Sequence, residues 1–305
     1  MLDRRELLIG AAGGLFVSLA LPRRGAAQPA GIVPLNDRLS LVTSGRTNVL
    51  ALSTADGLIV VDSGAPESSD RLMDSLRQLA PGGRVGTVFN THWHEENTGA
   101  NDVLGQGGAT IVAHEHTRLW MATPIWIPEE DRYRPPRPKA ALPTKTFYAD
   151  GSMKTAVERI DYGYLIEAHT SGDIYVFFRD SNVLAVGDVA SPARDPELDS
   201  FTGAWIGGRL DALSRLLDLS NGGTRIVPGF GGVMSRADLQ AERDMMKTIY
   251  DRAVDEVRKG DSAEDLFKAG VLNGLARAWK DPQKFLSAVH KGLWAHHNKL
   301  SPNVV

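Results

Sequence analysis

The stretch that most constrains this chain is residues 86–101, GTVFNTHWHEENTGAN. Thr87, Val88 and Phe89 form a β-branched and apolar run that reads as a short buried strand. Asn90-Thr91 ends it, and His92-Trp93-His94 follows. On an extended backbone, residues two apart point to the same side. His92 and His94 therefore aim two imidazoles at one point while Trp93 faces away, and Glu96 reaches the same side if the extension continues. Thr98-Gly99 turns the chain toward a helix. Two imidazoles at this spacing suit a first-row metal, zinc above all. The other reading of the tripeptide is a pair of strand-end histidines that only hydrogen-bond.

Composition narrows what can hold such a metal. The chain has no cysteine, so disulfides, a thiol nucleophile and thiolate ligands are excluded, and any ion must be held by His and carboxylates. At 305 residues there is room for one large domain or two small ones, and 42% apolar with 23% charged residues is ordinary for a soluble globular protein. The net charge of −3 argues against a nucleic-acid binder, which would carry a basic face.

The N-terminus reads as an export signal over residues 1–27. Arg4-Arg5 precedes an apolar stretch from Leu7 to Leu21, and Ala26-Ala27 supplies a small-residue cleavage site. The stretch is too short for a comfortable transmembrane helix. DRRELLIG resembles a twin-arginine signal, with Asp3 where Ser or Thr is commoner; an ordinary secretory signal with two arginines is the alternative. These residues carry four Arg and two acids, which leaves −5 for the remainder. The expected location is a bacterial periplasm, with no membrane contact once the signal is removed.

From residue 38 apolar residues recur with period 2. Leu39–Val42, Asn48–Leu52 and Leu58–Asp62 read as strands, with a hairpin turn at Ala55-Asp56-Gly57. Residues 67–80 read as a helix with Leu72, Leu76 and Leu79 on one face, stopped by Pro81-Gly82-Gly83. Gly108–Ala113 is a further strand and 114–122 a short helix. Residues 123–144, with six prolines, read as a long loop lacking its own core; such loops are usually lids or binding loops. Strands are expected at 146–148, 153–157, 162–168, 174–178, 183–186 and 224–227, and a helix at 208–219. Ser235 and Asp238 predict a capping box opening a helix through Leu239, Met246, Ile249, Ala253 and Val257. A last amphipathic helix runs through Phe285, Val289 and Leu293. Strands followed by helices, twice over, suggest two β-rich halves packed face to face with helices outside.

A third ligand must come from elsewhere. His169 lies at an expected strand end, in His169-Thr170-Ser171-Gly172-Asp173, and Asp188 ends the strand over 183–186, in Gly187-Asp188. Strand ends at one edge of a sheet gather in space, so His92, His94, His169 and Asp188 can converge.

These motifs resemble the metallo-β-lactamase superfamily, whose pattern is HxHxDH after a strand, a turn of the HTxGD kind, then GD, then PGHG. Here they read His92-Trp93-His94-Glu95-Glu96-Asn97, His169-Thr170-Ser171-Gly172-Asp173, Gly187-Asp188 and Pro228-Gly229-Phe230-Gly231. Val61 to Gly64, VDSG, matches the family's strand-loop. The resemblance covers about residues 38–240. It implies an α+β fold, the four-layer αββα sandwich, over residues 28–305, with a helical extension from about 236. It also implies a first metal site of His92, His94 and His169, and Asp188 as the residue that bridges two metals in dinuclear relatives. The second site departs at three positions: Glu96 for Asp, Asn97 for His, and Phe230, which has no lone pair, for the His of PGHG. One metal is the expectation.

Three neutral imidazoles with an open fourth position describe a catalytic zinc site whose bound water is acidified to about pKa 7. Asp188 can hydrogen-bond that water or join the ligands, and Glu96 is the candidate general acid/base. The expected activity is hydrolysis of an ester, lactone, amide or related acyl bond in a small molecule. A non-catalytic metal- or ligand-binding relative is one alternative. A mononuclear iron oxygenase using His92, His169 and Asp188 is another. Trp93, Trp126 and Tyr133 are candidates for a pocket wall or for simple packing. His114 and His116 read as cap or surface groups, and His290, His296 and His297 as a solvated helix face. No GxSxG, GxxxxGK[ST] or dinucleotide fingerprint is present.

Overall fold

A computed structural model describes residues 31–80, 84–127 and 131–297. The expected export signal lies outside the described residues, and none of the described helices is long and apolar enough to cross a membrane.

Two sheets stack face to face. The first has seven strands: β1 (Gly31–Pro34), β2 (Leu39–Ser44), β3 (Thr47–Thr54), β4 (Gly57–Val61), β5 (Val85–Phe89), β6 (Thr110–His114) and, at the far edge beyond a separate two-stranded hairpin of β7 (Ile125–Ile127) and β8 (Arg132–Arg134), β9 (Lys145–Phe147). Its first four strands form an antiparallel meander, and β4, β5, β6 and β9 run parallel. The second sheet has five strands in chain order, β10 (Asp150–Lys154), β11 (Arg159–Tyr164), β12 (Ile174–Phe178), β13 (Val183–Gly187) and β14 (Arg225–Pro228).

Period-2 alternation decides which residues meet. Leu39, Leu41, Leu50, Leu52, Ile59, Val61, Phe89 and Val112 of the first sheet face Ile160, Tyr162, Ile174, Val176, Phe178 and Val227 of the second. The alternate residues Val42, Val49, Ala51, Val60 and Val88 pack outward on α1 (Ser69–Leu79) and on α3 (Asn101–Gln106), which follows the single turn α2 (Glu95–Thr98). The short helix α4 (Glu115–Ala122) follows β6. The outer face of the second sheet, with Phe177, Leu184 and Ile226, is covered by α5 (Ile206–Leu219), α6 (Arg236–Val257) and α8 (Pro282–Ala295), with α7 (Ala263–Lys268) between the last two. The layers are helix, sheet, sheet, helix, the αββα sandwich expected from the motifs.

Three expectations need correction. The strand expected to run to residue 168 stops at Tyr164, because Glu167 takes a positive φ of 50° and the chain folds into the loop that carries His169. The long loop expected over residues 123–144 carries, in its described part, the paired strands β7 and β8 and a turn of 3₁₀ helix at Lys139–Ala141, which the sequence reading did not expect. His296 is not solvated: its ring stacks on Trp205 with centroids 4.4 Å apart and pairs with Glu167 at 3.3 Å. The capping box of Ser235 and Asp238 is present as the sequence indicates.

Candidate metal centre

β5 ends in the middle of the first sheet and delivers His92 and His94 to the rim of the sandwich. His169 arrives from the opposite sheet, in the β11–β12 loop. Asp173 closes that loop by accepting hydrogen bonds from the backbone N–H groups of His169 (2.6 Å) and Thr170 (2.7 Å) and from the Thr170 hydroxyl (2.8 Å). The donor atoms of His92, His94 and His169 lie within 4.8 Å of one another. Their rings are mutually edge-on, with centroids 4.7–4.9 Å apart.

Each imidazole is held by its other nitrogen, which fixes its tautomer. His169 Nδ1 donates to the Glu197 carbonyl at 2.9 Å, leaving Nε2 bare. His92 Nδ1 meets Thr91 Oγ1 at 3.1 Å, and Thr91 in turn donates to Asp62 at 2.8 Å, so His92 Nε2 is also bare; it is buried with no hydrogen-bond partner. His94 Nε2 faces Asp199 Oδ2 at 3.3 Å, which leaves Nδ1 toward His169 Nε2 at 3.1 Å. Two ring nitrogens facing one another at this distance, with the orphaned His92 nitrogen beside them, form a donor set that one metal ion would satisfy. The residues present therefore fit a three-nitrogen metal site.

Burial drives His92 and His169 well below the ordinary histidine range, so both are neutral and ready to ligate. Burial also opposes a charge on His94, but the hydrogen bond and charge of Asp199 outweigh it and raise the group. Thr202 holds Asp199 through its hydroxyl at 2.9 Å.

Asp188 lies beside the cluster, its Oδ2 3.7 Å from His92 Nε2 and 3.6 Å from His169 Nε2. Burial raises its carboxyl to about 6, against the pull of the Arg194 guanidinium. Gly229 must lack a side chain here, because a Cβ would come within 2.1 Å of Asp188 Oδ1.

Glu96 is elsewhere than the extended reading placed it. The extension ends at His94, which is the residue capping α2, so Glu96 sits on a helical turn. Its Oε1 accepts from Arg194 Nη1 at 2.8 Å, and Arg194 Nη2 makes a short ion pair with Asp188. Asn97 is buried and donates to Asp62 at 3.2 Å. Phe230 turns its ring face to Arg194, whose Cζ is 3.7 Å from the ring centroid. Trp93 does not turn wholly away from the cluster: its ring packs edge-on against His94 with centroids 4.6 Å apart, and it is buried with Met121 and Ile125, with Arg134 over its ring at 4.8 Å. Trp126 and Tyr133 pair with one another across the β7–β8 hairpin at 5.0 Å. His114 caps α4 by accepting from the His116 N–H.

Sequence reasoning missed Arg194, Asp199 and the Glu197 carbonyl. All three come from residues 189–205, where neither a period nor a motif singles out a residue; the only trace is a run of charges, Arg194, Asp195, Glu197 and Asp199.

The family model described as "Metallo-beta-lactamase superfamily" matches residues 42–249. A metallo-beta-lactamase type 2 from Bacillus cereus is 25% identical over 201 residues, 66% of this chain and 73% of that protein. The 2,4-dinitroanisole O-demethylase subunit alpha of Nocardioides sp. (strain JS1661) is 23% identical over 232 residues, 74% of this chain and 65% of that one. Among solved structures, a metallo-beta-lactamase from Pontibacter korlensis superposes with a TM-score of 0.59 at 18% identity, covering 72% of this chain and 99% of its own. The DIM-1 metallo-beta-lactamase gives 0.57 at 17%, covering 72% and 98%. At these identities the solved structures speak to the fold.

Proposed function

The chain belongs to the metallo-beta-lactamase superfamily, and from that premise we propose that it is a mononuclear zinc hydrolase cleaving an ester, lactone, amide or related acyl bond of a small molecule. The observation that carries this reading is the convergence of three bare imidazole nitrogens from both sheets, with His92 Nε2 left without a partner. Bound there, zinc would supply hydroxide at neutral pH and polarise the acyl carbonyl. The chain's own residues do the rest. Asp188 Oδ2 is placed to accept a hydrogen bond from the attacking water and to hold its orientation. Glu96, only part-buried and tied to Arg194 through Oε1, is the candidate to take a proton from the attacking water at Oε2, the oxygen that Arg194 leaves open, and to return it to the leaving group.

The iron alternative requires Asp188 in place of His94. Asp188 already carries the Arg194 guanidinium, and His94 points its free nitrogen into the cluster, so the geometry favours three nitrogens. Export to the periplasm is our proposal from the leader sequence alone.

The test is metal analysis of purified protein beside turnover on chromogenic esters, lactones and β-lactams, with His92→Ala as control. We expect zinc, and turnover of at least one class that His92→Ala and chelation both abolish. Zinc without metal-dependent turnover anywhere on the panel would make the chain a binding relative, and iron in the site would overturn the zinc assignment.

A further inference from the structure

Three residues depart from the second-site pattern, and two of them, Glu96 and Phe230, contact one guanidinium, that of Arg194. Glu96 accepts from Arg194 Nη1 at 2.8 Å, Phe230 presents its ring face 3.7 Å from the guanidinium carbon, and Asn97 contributes no charge. The fourth member of that pattern, Asp188, is shared: its Oδ2 faces His92 and His169 on one side and receives Arg194 Nη2 on the other. The carboxylate that matches the bridge of dinuclear relatives links, in this chain, a histidine cluster and an arginine.

We propose that the guanidinium of Arg194 is the built-in second cation of this centre, occupying the place of a second metal ion and limiting the chain to one ion at His92, His94 and His169. This rests on the metal-centre reading above and adds to it.

The departures at Glu96 and Phe230 fit this tenant chemically. A planar guanidinium needs acceptors at two of its edges and tolerates a π-face above its plane, whereas a metal ion needs lone pairs. Glu96 reaches one edge with its longer arm, Asp188 takes another, and Phe230 covers the plane. The arginine is also built in from below. Arg277 donates to the carbonyls of Ser191 (2.9 Å) and Arg194 (2.7 Å), and is itself fixed by Glu242 at 3.0 Å. Glu242 also accepts from the Ser191 N–H at 3.0 Å. The segment that carries Arg194 is thus pinned to α6, which a surface arginine folding back by chance would not require. A second dication would have to share Asp188 Oδ2 with a fixed positive charge a few ångströms away, so the two occupants exclude each other.

The experiment saturates the protein with zinc, dialyses it, counts ions per chain by mass spectrometry and places them by anomalous diffraction. We expect one ion in the wild type. In Asn97→His/Phe230→His, which restores two ligating side chains but keeps Arg194, we still expect one. Adding Arg194→Ala to that pair should raise the count to two, with the second ion between Asp188 and the restored histidines. Two ions in the wild type, or two in the double variant with Arg194 present, overturn the proposal while leaving the metal-centre reading intact. A triple variant that folds, by circular dichroism, and still holds one ion also overturns it. No ion in the wild type defeats the metal-centre reading itself. If the variants do not fold, wild-type crystals soaked in excess zinc decide: an ion that displaces the guanidinium from Asp188 overturns the proposal, and a retained guanidinium supports it.

Discussion

His94 shows how far the site depends on neighbours outside its motif. Asp199, in a different loop, turns the ring so that Nδ1 rather than Nε2 faces the cluster. Partners of this kind usually contribute 10–100-fold to metal affinity. Asp199→Asn should therefore weaken zinc binding by about that factor, read by competition against a chromophoric chelator; unchanged affinity would remove Asp199 from the role. A second prediction concerns a histidine away from the cluster. His114 is stacked on Tyr164 at 3.8 Å and buried, and desolvation lowers it from the ordinary 6.5 to about 4. The unfolded chain therefore takes up this proton at higher pH than the folded one. Stability should fall as pH drops from 6.5 toward 4, and rise again as pH is restored. His114→Phe should flatten that part of the profile, measured as urea midpoints across the range; an unchanged slope would assign the dependence to other groups. The sequence showed both histidines but neither partner, because a partner 105 residues away leaves no local pattern.

At the scale of elements, local chemistry is well written in the chain. The Ser235–Asp238 box is readable as a four-residue signature, and its hydroxyl accepts from the Asp238 N–H while the carboxylate accepts from the Ser235 N–H. Ser235→Ala should cost about 1 kcal/mol, visible as a lower denaturation midpoint with unchanged slope. Phe89, fully buried between the sheets, should cost about 3–5 kcal/mol when truncated to Ala. Where element boundaries slipped, the cause was a backbone event without an apolar signature. The positive φ of Glu167 ends β11 early, and the cap at His94 turns Glu96 onto a helix. Alternation of apolar residues reports burial but does not report such turns.

At the scale of the molecule, the metal centre and the helical layer are joined. Arg209 of α5 is fully buried and pairs with Glu242 of α6 at 3.4 Å, and Arg277 binds the same carboxylate at 3.0 Å while holding the Arg194 segment. Removing one partner of a buried charge network leaves the others uncompensated, so Glu242→Ala should destabilise the fold by about 3–5 kcal/mol. It should also loosen Arg194. Metal binding should act on the whole fold as well, since its ligands come from both sheets. Zinc at a hundredfold excess over its dissociation constant should add about 2.7 kcal/mol, seen as a higher melting temperature that chelation reverses. A melting temperature indifferent to zinc would mean that the three histidines do not close on an ion.

The sequence by itself pointed to the sandwich, through the motifs it shares with a known family, to most of its strands, and to the three histidines that meet between its sheets. Those features are carried by short periods and by short motifs at strand ends. Only the tertiary structure decided who orients the imidazoles and which cation sits beside Asp188. The Arg194–Glu96 pair spans 98 residues and exists because two sheets stack and a helical layer pins the intervening segment. Contacts of that kind are set by packing in three dimensions, where nearness along the chain no longer counts.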